Sequence, residues 1–139
     1  DISRLKNGEK IFAQSFDVLP QSDHVGMRLN GTGLDLGAAG EILSRGVPIG
    51  AVEVAPSGEL IILLRGRLVT AGYPVVAVLT KGSIDKVSQA RAGDQIMISL
   101  IEMSKAQLEL QEIEGKITST KTRVENAFRS RGWEALLSY

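Results

Sequence analysis

The sequence predicts a mainly β lobe, a barrel or sandwich, followed by a helical extension. Three observations carry that reading. Short apolar stretches rich in β-branched residues recur between Lys10 and Ile101. Glycine and proline punctuate them at turn positions, most densely from Ser44 to Pro74. From Ser104 the apolar spacing changes to alternating three and four, the signature of a helix. The expected division is therefore residues 1–103 for the β lobe and 104–139 for the extension.

The first expected strand is "KIFAQSFDVL", Lys10 to Leu19, with apolar groups on both sides as in an inner strand. "HVGMRLNG" alternates Val25, Met27 and Leu29 against His24, Gly26, Arg28 and Asn30, so Arg28 falls on the polar face. Residues 31–46 are rich in Gly and Ala and read as a loop with a helical turn at Ala38 to Leu43. "GAVEVA" and "ELIILLR" form a hairpin around Pro56, Ser57 and Gly58, where proline pre-sets φ and glycine accepts φ > 0. Gly66 and Arg67 mark a second tight connection. "PVVAVLT" is a continuous β-branched run suited to burial on both faces. "SIDKVSQA" reads as a short helix capped by Ser83, and "DQIMISLI" as the last strand.

In the extension, Ser104 with Gln107 fits a capping box. Leu110, Ile113, Ile117, Val124 and Phe128 form a seam, and Gly115 is a candidate break.

Bulk properties exclude several functions. Sixteen basic residues balance sixteen acidic ones in 139, so no net field draws nucleic acid or anionic lipid. The absence of cysteine removes disulfides and thiolate metal sites and fits a reducing cytosol. No apolar run approaches the roughly 20 residues of a membrane span. The first residue is Asp1 rather than Met, which, with an immediate strand-like start, suggests a piece of a longer polypeptide.

Few residues offer chemistry. His24 is the only histidine, so the chain has neither a histidine metal pair nor a Ser–His–Asp relay. Alone it reads most simply as a surface residue. Arg28 is either a solvated strand-face arginine or a bidentate clamp for a carboxylate or phosphate. Glu53, between Val52 and Val54, is either an outward residue or a carboxylate aimed into a groove. "TAGYP", Thr70 to Pro74, offers a hydroxyl, turn N–H groups and the Tyr73 phenol. Gly72 before Tyr-Pro is expected at positive φ. "GTG" at Gly31 to Gly33 is too short for a dinucleotide fingerprint, and no phosphate-binding loop motif is present.

One ordered set of motifs adds to this. "SDHVGMRLNG", "EILSRGVPIGAVEVAPSGELIILL", "TAGYPVVAVLT" and "ARAGDQIMI" together resemble the C-terminal half of the allophanate hydrolase subunit 2 family. That family includes the C subunit of 5-oxoprolinase (the KipI antagonist, KipA) and the carboxyltransferase part of urea amidolyase. The resemblance covers about residues 15–110 and implies a cyclophilin-like closed β-barrel lobe with the helical extension appended.

It also implies a function. The lobe would belong to a biotin-dependent carboxyltransferase or an ATP-dependent 5-oxoprolinase-type protein acting on a small amide, lactam or urea. Arg28, Glu53 and Tyr73 become the catalytic candidates, and Asp23, His24, Ser44, Thr70 and Gly72 the substrate-binding ones. No metal is implied. The lobe would bind no cofactor directly, biotin or ATP entering through the full complex. Its expected partners are a KipI-like protein, the B-type component of such complexes, and the missing N-terminal lobe. The departures are His24 for the family's Arg, Val25 for Met, Glu53 for Gln, Ala55 for Pro, and Val69-Thr70-Ala71 for Thr-Thr-Gly. They leave a non-catalytic regulatory module as the alternative.

Overall fold

The computed structural model describes residues 1–30, 34–36 and 42–133. It contains two compact units, Asp1–Leu100 and Ile101–Tyr139.

The first unit opens on two short 3-10 turns, Ile2–Arg4 and Gly8–Phe12. Strands follow as β1 (Ser15–Val18), β2 (Gly26–Asn30), β3 (Arg45–Gly46), β4 (Ala51–Val54), β5 (Leu60–Leu63), β6 (Thr70–Ala71), β7 (Val75–Val78) and β8 (Gln95–Met97). Helix α1 (Lys81–Val87) lies between β7 and β8 in sequence. Six strands form one antiparallel sheet in the order β7-β4-β5-β2-β1-β8, and β3 with β6 forms a separate ribbon.

The sheet curls around one core. Met27, Leu29, Val52, Val54, Leu60 and Ile62 project from its inner face. Residues from both sheet edges, Val76 and Ala77 of β7 and Ile96 of β8, pack against this same cluster, as do Val87 and Ala90 in and just after α1. The mainly β lobe with a C-terminal helix thus matches the sequence expectation. Among the described residues the edge strands β7 and β8 do not pair with each other, so the sheet is a curled half-barrel drawn together by packing.

Several elements differ locally from the sequence reading. Only the second half of "KIFAQSFDVL" is a strand. Leu5, Gly8 and Ile11 are all buried at a spacing of three, which suits the 3-10 turn and its eclipsed i,i+3 side chains. β7 is an edge strand with half-buried and exposed residues, so its β-branched run is not buried on both faces. Helix α1 starts at Lys81, not after Ser83. The Thr80 hydroxyl is the cap and accepts from the Ser83 N–H at 3.3 Å. The helical turn expected from Ala38 lies largely outside the described residues, and Ile42 to Ser44 are irregular. The Gly31–Gly33 run also lies outside them.

The Pro56–Gly58 turn forms as expected, closed by the Gly58 N–H donating to Ala55 O at 2.9 Å, with Gly58 at φ +83°. The second unit is built on α2, Met103–Arg129, which runs unbroken through Gly115. Its N-cap is Glu102, without a side-chain cap bond, so the Ser104 capping box does not form.

Candidate functional site

The outer face of the sheet carries a cleft of about 880 Å³ between the β2 and β5 strands and the turns beside them. Strand alternation places Arg28, Glu53, Ile61 and Leu63 on this face, opposite the core row of Met27, Val52 and Ile62. Register then aligns them. Arg28 is the cross-strand partner of Ile61, and Ile61 is in turn the partner of Glu53.

Glu53 is the one buried charged residue among the described residues, with 2% of its surface exposed. Its Oε1 is buried without a hydrogen-bond partner among those residues. Burial in this apolar wall pushes its carboxyl pKa above the ordinary value, only partly opposed by the Arg45 charge. A β-bulge falls beside it: Val52 pairs with Ala77 and Glu53 with Val75, leaving Val76 extra. Of the two readings open in the sequence, burial and lining place Glu53 in the groove.

Arg28 is half-buried, and its Nη1 donates to Glu59 Oε2 at 3.2 Å. Its backbone is fixed by Ser22, whose hydroxyl accepts from the Arg28 N–H at 3.0 Å and donates to Arg28 O at 3.3 Å. Asp23 also lines the cleft, but its Oδ1 accepts the Val25 and Gly26 N–H groups at 2.8 and 3.0 Å. The Gly26 and Val25 bonds hold its pKa below the ordinary value, with smaller help from His24 and Arg28. The Asp23 carboxylate therefore shapes the turn entering β2. Val25, expected to bury with Met27 and Leu29, is 36% exposed at the cleft rim.

The remaining candidates lie elsewhere. His24 is exposed against the next turn: the Gly66 N–H donates to His24 O at 2.8 Å, and a Cβ on Gly66 would fall 2.2 Å from His24 Cδ2. Ser44, Thr70 and Gly72 gather at the β3–β6 ribbon, where Gly46 pairs with Thr70. Gly72 does not have positive φ. Its constraint is a close approach, since an added Cβ would sit 3.1 Å from Ile42 O and 3.3 Å from Ser44 Oγ. Tyr73 packs on the apolar cluster of Ala51, Ile61 and Leu63 and does not line the cleft.

Asp23, Arg28 and Glu53 line the cleft together, whereas Ser44, Thr70, Gly72 and Tyr73 do not, although Arg45 of the ribbon acts on the Glu53 charge. Glu59 and Ser22 were missed by sequence reasoning. Glu59 shares the parity of Ile61 and Leu63, the one available signal, but only the β2–β5 register brings it to Arg28. No cluster of three or more metal-ligating side chains occurs among the described residues. No helix there is long and apolar enough to cross a membrane.

The curled β lobe is shared with known proteins. Residues 3–99 match the carboxyltransferase domain, subdomain A and B. The chain belongs to this carboxyltransferase-domain family. It is 34% identical over 85 residues to the C subunit of 5-oxoprolinase from Haemophilus influenzae, covering 61% of this chain and 28% of that protein. Against the C subunit of 5-oxoprolinase from Escherichia coli it is 33% identical over 94 residues, covering 66% and 30%. The chain thus spans under a third of the curated relatives it matches. Among solved structures, TTHA0988 superposes with a TM-score of 0.59 at 32% identity, covering 66% of this chain and 18% of that one. The Kluyveromyces lactis urea carboxylase gives 0.72 at 24% identity over 84% of this chain and 11% of that one, a likeness of fold.

Proposed function

We propose that the chain is one lobe of a carboxyltransferase or 5-oxoprolinase-type assembly acting on a small amide, lactam or urea. The observation that carries this is Glu53, a carboxyl buried in the cleft wall with one oxygen lacking a hydrogen-bond partner among the described residues. Burial favours its neutral form, and a neutral carboxyl offers one O–H donor and one carbonyl acceptor side by side. A lactam or urea presents the complementary edge, an N–H beside a C=O. A glutamine offers the same donor–acceptor pair, so a protonated Glu53 suits a position where the resembled family has Gln.

In this reading Glu53 orients the substrate amide, Ile61 and Leu63 exclude water behind it, and Arg28 holds a carboxylate at the cleft mouth. Glu59, already paired with Arg28, keeps the guanidinium pointed across the row. Tyr73 supports the wall through packing. The ureido ring of biotin has the same amide edge as a lactam or urea, so Glu53 and Arg28 fit that group as well as the substrate. Biotin carried by another part of the assembly would supply the carboxyl group. In the 5-oxoprolinase version, ATP bound elsewhere would activate the lactam carbonyl.

The work is shared with an N-terminal lobe and a KipI-like partner of the B type, in the cytosol. Among the described residues the cleft is open, and its other carboxylates are engaged, Asp23 with turn N–H groups and Glu59 with Arg28, so the chain is expected to turn over nothing by itself.

The test is to join the chain to the rest of its polypeptide and its partner. ATP-dependent opening of 5-oxoproline and carboxylation of urea are then assayed against the isolated chain. The assembly is expected to act on one of the two and the isolated chain on neither. Turnover by the isolated chain would overturn the shared-cleft reading. A tight but inactive assembly would instead establish the regulatory alternative.

A further inference from the structure

Helix α2 is 27 residues long and has no buried residue. Most of its apolar side chains follow a seven-residue repeat, with Thr120 the one polar member and Leu108 and Phe128 outside it. Met103, Leu110, Ile117 and Val124 recur every seventh position, and Ala106, Ile113, Thr120 and Ala127 follow each by three. The first set is 73%, 41%, 61% and 48% exposed. Such a helix gains little stability alone, and a seam of this period is the surface another helix covers.

We propose that this seam is a self-association surface, covered by α2 of a second copy packed antiparallel. Side-chain size selects the orientation. Aligned antiparallel about Gly115, the layers are Met103 on Ala127, Leu110 on Thr120, Ile117 on Ile113 and Val124 on Ala106. Three of the four set a larger residue against a smaller one, which narrows the spread of layer widths. In parallel, each residue meets itself. Leu110 would face Leu110 while Ala106 faced Ala106, and the narrow layers would leave voids. Gly115 itself lies off the seam, with nothing within 4 Å of an added Cβ.

Charge selects the same orientation. The charged positions flanking the seam are acidic in the first half (Glu102, Glu109, Glu114) and basic in the second (Lys116, Lys121, Arg123), with Gln107 and Phe128 the neutral ones. A parallel pair would set Glu109 near Glu114 and Lys116 near Lys121, like against like. The antiparallel pair sets Glu109 near Lys116 and Arg123, and Glu114 near Lys121. Only Lys116 and Glu114, beside the two-fold axis, meet their own copies, and each also has an opposite charge within reach. Lys121 already pairs with Glu125 within its own helix at 3.9 Å, which leaves it on the helix surface.

The chain has no cysteine, so introduced thiols report contacts without background. In the antiparallel pair the two copies of residue 106 lie 18 residues apart along the axis, about 27 Å. Neither Ala106→Cys alone nor Val124→Cys alone should cross-link under mild oxidation, whereas their mixture should. Sedimentation equilibrium of the whole chain should show a monomer–dimer equilibrium. Glu109→Lys with Glu114→Lys should weaken it by about tenfold or more, and adding Lys116→Glu with Lys121→Glu should largely restore it. A monomer at every concentration, cross-linking by either single variant, or indifference to the charge reversal would overturn the proposal.

Discussion

Arg28 and Glu53 flank Ile61 on one cross-strand row, with Arg28 its partner across β2–β5 and Glu53 its partner across β4–β5. Two strand spacings of about 4.8 Å separate their backbones by roughly 10 Å. Ile61 and Glu53 are buried, so the row sets a half-exposed cation at one end and a buried carboxyl at the other.

Glu53 makes stability depend on pH in a definite direction. Its pKa is raised in the folded chain, so between the ordinary carboxyl range and that raised value the folded state holds more protons than the unfolded one. Glu53 thus favours folding fully at pH below its unfolded pKa, and this contribution is lost as pH rises through the folded pKa. Glu53→Gln removes the titration. The variant should gain stability relative to the parent as pH is raised from about 4 to 8. Urea denaturation across that range checks it, and parallel curves for the two proteins would show that Glu53 ionises freely.

Gly50 combines two constraints. It has φ +81°, and a Cβ there would fall 2.7 Å from Ile84 Cδ1 of α1. Gly50→Ala should cost about 1–2 kcal/mol from the left-handed backbone alone, plus the shift forced on Ile84. Gly46→Ala is the control, because nothing lies within 4 Å of its added Cβ and its φ is not positive. Denaturant midpoints should drop clearly for the first variant and barely for the second.

Those two glycines mark how far the sequence could be read. Turn chemistry was legible where one residue type suffices, as with Pro56 and Gly58. It was not legible at Gly72, where the constraint is a non-local approach to Ile42 and Ser44. Alternation put Arg28 on the polar face, but it could not say that Glu53 is buried. That follows from β4 lying inside the sheet with all four residues covered. Period-two reasoning also failed at Ile11, which a 3-10 turn carries into the core. The family motifs named Asp23, Arg28 and Glu53 alongside Ser44, Thr70, Gly72 and Tyr73 without telling the two groups apart, while Glu59 became visible only through strand register.

The Arg28 guanidinium offers the sharpest check on the proposed cleft. Its ion pair with Glu59 is partly exposed, with 42% and 22% of the side chains open, so its share of stability is about 1 kcal/mol or less. Arg28→Lys keeps the charge and loses the planar fork. A charge-assisted hydrogen bond lost in the complex is worth about 1.5–3 kcal/mol, roughly ten- to a hundredfold. The measurement is kcat/KM of the assembled complex carrying Arg28→Lys, beside the melting temperature of the same variant. A clamp at Arg28 requires about a ten- to hundredfold loss of activity with melting unchanged within a few degrees. Full activity, or a lobe that unfolds, would contradict it.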